Sequence, residues 1–135
     1  MLFMKTRNAF VSLRSIPLLM LAALALAAAG CTQVMVSPET RGEYKFGELQ
    51  VFADRDFATA YAAVKSGMKD AGLFEVRDDR LMIEAELNGR DSTDALVVVK
   101  IKEVAKNRTS IKIRYGLKGD LASAQKVYAA IEKRM

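Results

Sequence analysis

The sequence predicts an α+β fold. It is a two-layer sandwich in which a mostly antiparallel sheet of about five strands, in the order β-α-β-β-β-β-α, carries two helices on one face. Three observations lead there. Four segments after residue 45 alternate apolar and polar side chains with the two-residue period of a half-buried strand. Two others, 57–71 and 121–135, repeat apolar residues at the three-to-four spacing of an amphipathic helix. The links between the later strands are short, which favours antiparallel neighbours over crossovers.

Residues 46–53 open the domain as a strand, with Leu49, Val51 and Ala53 on one face. Asp54 or Asp56 is placed to cap the first helix. That helix carries the stripe Phe57, Ala60, Tyr61, Val64, Met68 and Ala71, and Gly72 ends it in a left-handed cap. Phe57 and Tyr61 are read as core packing. Residues 73–77 form a short strand, and Asp78, Asp79 and Arg80 its turn. Residues 81–87 alternate cleanly, with Leu81, Ile83, Ala85 and Leu87 on one side and Met82, Glu84 and Glu86 on the other. Asn88-Gly89 opens a polar loop to residue 94. Residues 95–104 form a long strand with Val97, Val99 and Ile101 inward, and Lys106, Asn107 and Arg108 turn it. Residues 110–115 put Ile111, Ile113 and Tyr115 inward. A turn over 116–119 leads to Asp120 at an N-cap position and to a last helix with the stripe Leu121, Ala124, Tyr128 and Ile131.

If both helices cover one face, the other is open. It shows Gln50 and Phe52, then Met82, Glu84 and Glu86, then Leu96, Val98, Lys100 and Lys102, then Lys112 and Arg114. Glu84 and Glu86 are expected beside the lysines of the next strand, with Lys112 and Arg114 beyond their reach. The apolar members suggest a docking surface. A partner protein, the preceding segment 32–45 or a second copy of the chain each fits that pattern. Val98, Lys100, Lys102, Lys112 and Arg114 are the candidate partner-binding residues.

Composition narrows the chemistry. The chain has 135 residues, no His, no Trp and one Cys. No Cys/His metal site, Ser-His-Asp triad or Cys-His pair is available to it, and no internal disulfide. No cofactor is expected. Asp78/Asp79 and Asp91/Asp94 are the only close acidic sets, and both fall where turns favour Asp for backbone reasons. An enzyme is not expected. Residues 31–94 hold 8 basic and 13 acidic side chains, and residues 95–135 hold 10 and 3. The simplest reading is that the two halves pair within one domain. From residue 31 on the net charge is only 18 − 16 = +2, which argues against a nucleic-acid partner.

Residues 1–30 stand apart. Lys5, Arg7 and Arg14 precede an apolar run from Ile16 to Ala29, with no acidic residue. Fourteen residues are short for a membrane span, which takes about 20, and a basic leader before a short apolar run is a secretory signal. The run ends in Ala27-Ala28-Ala29-Gly30 before Cys31. This junction resembles the lipobox of bacterial lipoproteins, with Ala28 where the family prefers Leu. The resemblance implies cleavage between Gly30 and Cys31, acyl chains of the palmitate kind on Cys31, and a membrane partner held through them. Two or more chains make a lasting anchor where one does not. Thr32, in place of Asp, implies sorting to the outer membrane, facing the periplasm. Residues 31–45 then read as the lipidated end and a tether, with Ser37-Pro38-Glu39 and Gly42 breaking any element, and 46–135 as one α+β domain.

The domain also resembles a family of small bacterial lipoproteins of unknown function, of the domain-of-unknown-function 3568 type. The likeness rests on Gly47-Glu48-Leu49, Ala71-Gly72, Ile83-Glu84-Ala85, Ile113-Arg114-Tyr115-Gly116 and Gly119-Asp120, followed by Ser123, Val127 and Ile131. It implies a place in the cell envelope and no catalytic residue. The function expected from all of this is a non-enzymatic, membrane-anchored docking or structural module. The alternative is a binder of anionic lipid head groups or cell-wall carboxylates through the four basic residues of the open face.

Overall fold

The computed structural model describes residues 32–135. Gly30 and Cys31, the expected cleavage and lipid-attachment positions, lie outside the described residues, as does the leader.

The elements run β1 (Thr32–Met35), β2 (Arg41–Lys45), β3 (Glu48–Ala53), α1 (Phe57–Asp70), β4 (Phe74–Arg80), β5 (Glu84–Arg90), β6 (Leu96–Ala105), β7 (Arg108–Tyr115) and α2 (Leu121–Glu132). The strands form one antiparallel sheet in the order β1-β2-β3-β7-β6-β5-β4. The α+β class and the two helices are as the sequence predicts. The sheet has seven strands, not about five.

Both additional strands come from the segment read as a tether. Residues 32–45 fold into β1 and β2 and extend the sheet beyond β3. Gly42, a breaker by residue type, sits inside β2 because the space above it is taken. A Cβ there would lie 3.0 Å from Val36 Cγ2 and 3.1 Å from Leu49 Cδ1. Val34, Val36 and Tyr44 pack against the core in turn.

The core lies between the sheet and the helices. β3 contributes Leu49 and Val51, β7 contributes Ile111 and Ile113, β6 contributes Val97, Val99 and Ile101, and β5 contributes Ala85 and Leu87. Phe57, Ala60, Val64 and Met68 of α1 and Ala124, Val127, Tyr128 and Ile131 of α2 close it from above. Burial of this apolar surface is the dominant stabilising term.

The β4–β5 hairpin differs in position from the expectation. β4 runs on through Asp78, Asp79 and Arg80, and the turn falls at 81–83. Leu81, Met82 and Ile83 are therefore exposed and not part of an alternating strand. Asn88-Gly89 lies inside β5, where Gly89 admits Met68: a Cβ would stand 3.0 Å from Met68 Cε.

Candidate functional site

The open face is real. Both helices pack on the other side of the sheet, and β1 and β2 extend its edge without folding over it. Of the three occupants the sequence allowed, the segment 32–45 is removed.

Pairing register arranges the exposed side chains in rows. The central row runs Asp79, Glu86, Lys100, Lys112, Gln50, Glu43, Gln33, each directly opposite the next. One neighbouring row runs Glu84, Lys102, Ser110, Phe52. The other holds Arg77, Asn88, Val98 and Arg114. Val98, Lys100, Lys102, Lys112 and Arg114 thus share one face, as the sequence predicts.

Their charges are not equally free. Lys102 pairs with Glu84 at 3.3 Å, as expected. Arg114 was expected to lack an acidic neighbour. It instead meets Glu48 at 3.3 Å and donates to the Phe46 carbonyl at 2.9 Å. Gln50 Nε2 donates to the Ser110 hydroxyl at 3.1 Å. Lys100 and Lys112 face each other, and among the described residues neither forms an ion pair. Like charges directly opposite on a sheet are destabilising, a cost that Glu86, directly opposite Lys100 on the other side, offsets only in part.

The face is hollow. A depression of about 860 Å³ is bordered by Gln50, Glu84, Glu86, Lys100, Lys102 and Lys112. A smaller one of about 230 Å³ lies beside Val98 and Arg114 and shares Lys100 and Lys112 with it. The expected apolar patch is divided. Phe52 lies under the Arg108 guanidinium, 4.9 Å from its ring centre. Leu96 and Val98 are half-buried on the far side of the lysine row, and Met82 has moved into the β4–β5 turn.

The acidic sets do not converge. Asp78 points to the helix side of the sheet, where it accepts from Tyr61 and, at 2.8 Å, from Lys65. Lys65 and then Tyr61 hold its carboxyl below the usual range. Arg80 completes that cluster, 4.4 Å from the Tyr61 ring centre. Asp79 is on the opposite face, paired with Arg77 at 2.5 Å. Asp91 caps its own loop, accepting from the Thr93 and Ala95 amides at 2.8 and 2.9 Å and from the Tyr115 hydroxyl at 2.5 Å. The Tyr115 bond is the largest cause of its lowered pKa. A general acid needs the opposite shift. Among the described residues no group of three or more Cys, Asp or Glu is placed to hold a metal. No described helix is long and apolar enough to cross a membrane.

Sequence reasoning missed the Tyr61–Lys65–Asp78–Arg80 cluster and the turn at Phe46-Gly47. The spacing of Tyr61 and Lys65 on α1 was legible, but the turn assigned to Asp78 hid their partner. No curated protein matches the sequence. A family model matches residues 15–134. That covers all but the last of the described residues and reaches back over the apolar run before them, and the chain belongs to the family described as Protein of unknown function (DUF3568).

Proposed function

We propose that this chain is a non-enzymatic, lipid-anchored module of the bacterial cell envelope. Cys31 carries the acyl chains, the domain faces the periplasm from the outer membrane, and the open sheet face docks a protein partner. The observation that carries the docking reading is the opposed Lys100–Lys112 pair in a hollow that nothing in the described chain covers. A partner carboxylate between the two ammonium groups relieves their repulsion, and Val98 and Leu96 supply apolar contact beside it. The small-residue junction before Cys31 and the basic leader support the anchor.

The test is in-cell photo-crosslinking from positions 98 and 112. A specific heterologous adduct, lost in Lys100→Glu/Lys112→Glu, supports docking. Self-adducts alone, or none, remove it. The two unpaired lysines also favour the second reading, a binder of anionic head groups or cell-wall carboxylates. Such binding weakens with salt. A folded variant with Lys100, Lys102, Lys112 and Arg114 all changed to Glu that binds these ligands undiminished excludes it.

A further inference from the structure

We infer that the paired turns bearing Phe46 and Leu117 form a tip that inserts into the bilayer interface beside the acylated residue. This rests on the lipid-anchor reading above and adds an orientation to it. The β2–β3 turn places Phe46 at φ 51° and Gly47 at φ 77°. Two positive-φ residues are the geometry of a two-residue hairpin turn that Asn-Gly satisfies without strain. A bulky aromatic residue in the first position is an outlier. Phe46 gains no core contact in return, since it is 83% exposed.

The turn after β7 carries Leu117, 89% exposed. The two turns touch. A Cβ on Gly47 would stand 2.6 Å from the Lys118 carbonyl oxygen, and one on Gly119 would strike the Gly47 backbone. Arg114 clamps the Phe46 carbonyl from below. Two large apolar side chains are therefore held outward on a stiff support. Two cations flank them, Lys118 next to Leu117 and Lys45 with its ammonium 5.2 Å from the Phe46 ring centre. Apolar groups at a tip ringed by lysines match the acyl and phosphate layers of an anionic bilayer.

Chain connectivity sets this tip at the anchor. Thr32 opens β1 directly after Cys31 and lies opposite Tyr44. Strand spacing and rise then put Thr32, the first described residue, within roughly 10 Å of the Phe46 turn. Met82, also exposed at 91%, lies in the β4–β5 turn at the other end of the sheet.

The chain has no Trp, so one introduced residue reports alone. Full-length protein carrying Phe46→Trp, Leu117→Trp or Met82→Trp is purified from bacterial membranes. Each is reconstituted into phosphatidylcholine vesicles with and without phosphatidylglycerol. Acylation of Cys31 is read by mass spectrometry on the same samples. The expected result is a blue-shifted emission for Phe46→Trp and Leu117→Trp, with most of it lost to bromine-labelled lipid, more strongly with phosphatidylglycerol. Met82→Trp stays water-like and unquenched. Acylated, vesicle-bound protein whose two tip variants emit as in water overturns the insertion and leaves the anchor standing. Unmodified Cys31 on a chain whose tip variants are still quenched overturns the anchor and leaves the insertion standing. Unmodified Cys31 without quenching overturns both.

Discussion

Gly67 of α1 and Ile131 of α2 meet where the two helices touch, so closely that a Cβ on Gly67 would lie 2.5 Å from the Ile131 Cα and 2.7 Å from its backbone nitrogen. Those are backbone atoms, and no rotamer change moves them aside. Beside this contact Arg134 pairs with Asp70 at 2.6 Å, joining the helix ends. Gly67 costs the helix its propensity in exchange for that approach.

Gly67→Ala therefore destabilises the domain. Replacing Gly by Ala in a helix interior gains up to about 1 kcal/mol of propensity, while overpacking a filled contact costs about 1–3 kcal/mol. The net expectation is a loss of up to about 2 kcal/mol, read as a lower urea midpoint with an unchanged slope. Adding Ile131→Ala removes the Cγ1 contact at 2.6 Å but does not rescue it, because the other two blocking atoms belong to the main chain. Rescue by that second change would mean the side chain alone sets the helix spacing.

The Lys100–Lys112 opposition makes a second prediction, in the other direction. Lys112→Glu replaces repulsion by attraction across β6 and β7 and stabilises the fold by about 0.2–1 kcal/mol. The gain shrinks as salt is raised. The same variant loses the docking adduct. Greater stability with unimpaired crosslinking would mean that the lysines are retained for some purpose other than this face.

Periodicity made α1, α2, β6 and β7 legible, since each buries one clean stripe: Val97, Val99 and Ile101 on β6, and Ile111 and Ile113 on β7. It also placed Val98, Lys100, Lys102, Lys112 and Arg114 on one face correctly, though not Met82. The errors cluster at glycines. Gly42 and Gly89 carry the signal of a loop, but both lie within strands, where Val36 and Met68 come down onto them. A sequence does not distinguish a glycine needed for a turn from one needed for a neighbour's side chain. The turn that does bend the chain, at Phe46-Gly47, was concealed by an aromatic residue that favours strands. That Lys100 and Lys112 form no ion pair among the described residues was also invisible, because it depends on Glu48 and Glu84 engaging Arg114 and Lys102 instead.

The Asp91–Tyr115 bond gives a pH dependence of known sign. Tyr115, Thr93 and the Ala95 amide hold the Asp91 carboxyl well below its ordinary value. Its contribution is present above about pH 4, the unfolded value, and is lost as pH falls through the lower folded one. Asp91 in turn pushes the Tyr115 hydroxyl up to about 12. That contribution is complete below about pH 10 and is lost as pH rises from there through the folded value. Stability from this pair is therefore level between about pH 4 and 10 and falls on both sides. Asp91→Asn removes its part of the acid limb, and tyrosinate absorbance shows one of the four tyrosines ionising earlier than in the parent chain. A titration curve identical to the parent's would mean that the bond does not form in solution.

The fate of residues 32–45 decides how the domain would stand on the proposed anchor, and hydrogen exchange measures it. In the fold, β2 lies between β1 and β3, with Tyr44 opposite both Thr32 and Leu49. The amides of Arg41–Lys45 should exchange on the order of a hundredfold more slowly than those of the 37–40 turn, about 2.7 kcal/mol of local opening free energy. A tether would show no such contrast, because an unpaired segment exchanges evenly along its length. The difference matters beyond the strand count. Fourteen extended residues could carry the domain roughly 45 Å from the proposed anchor, whereas a β1 that begins at Thr32 leaves no such spacer between the sheet and residue 31. Protection at Tyr44 thus supports the proposed placement of Phe46 close to the anchor. Uniformly fast exchange over 32–45 would free it and leave Lys45, Phe46 and Leu117 without a reason to face lipid.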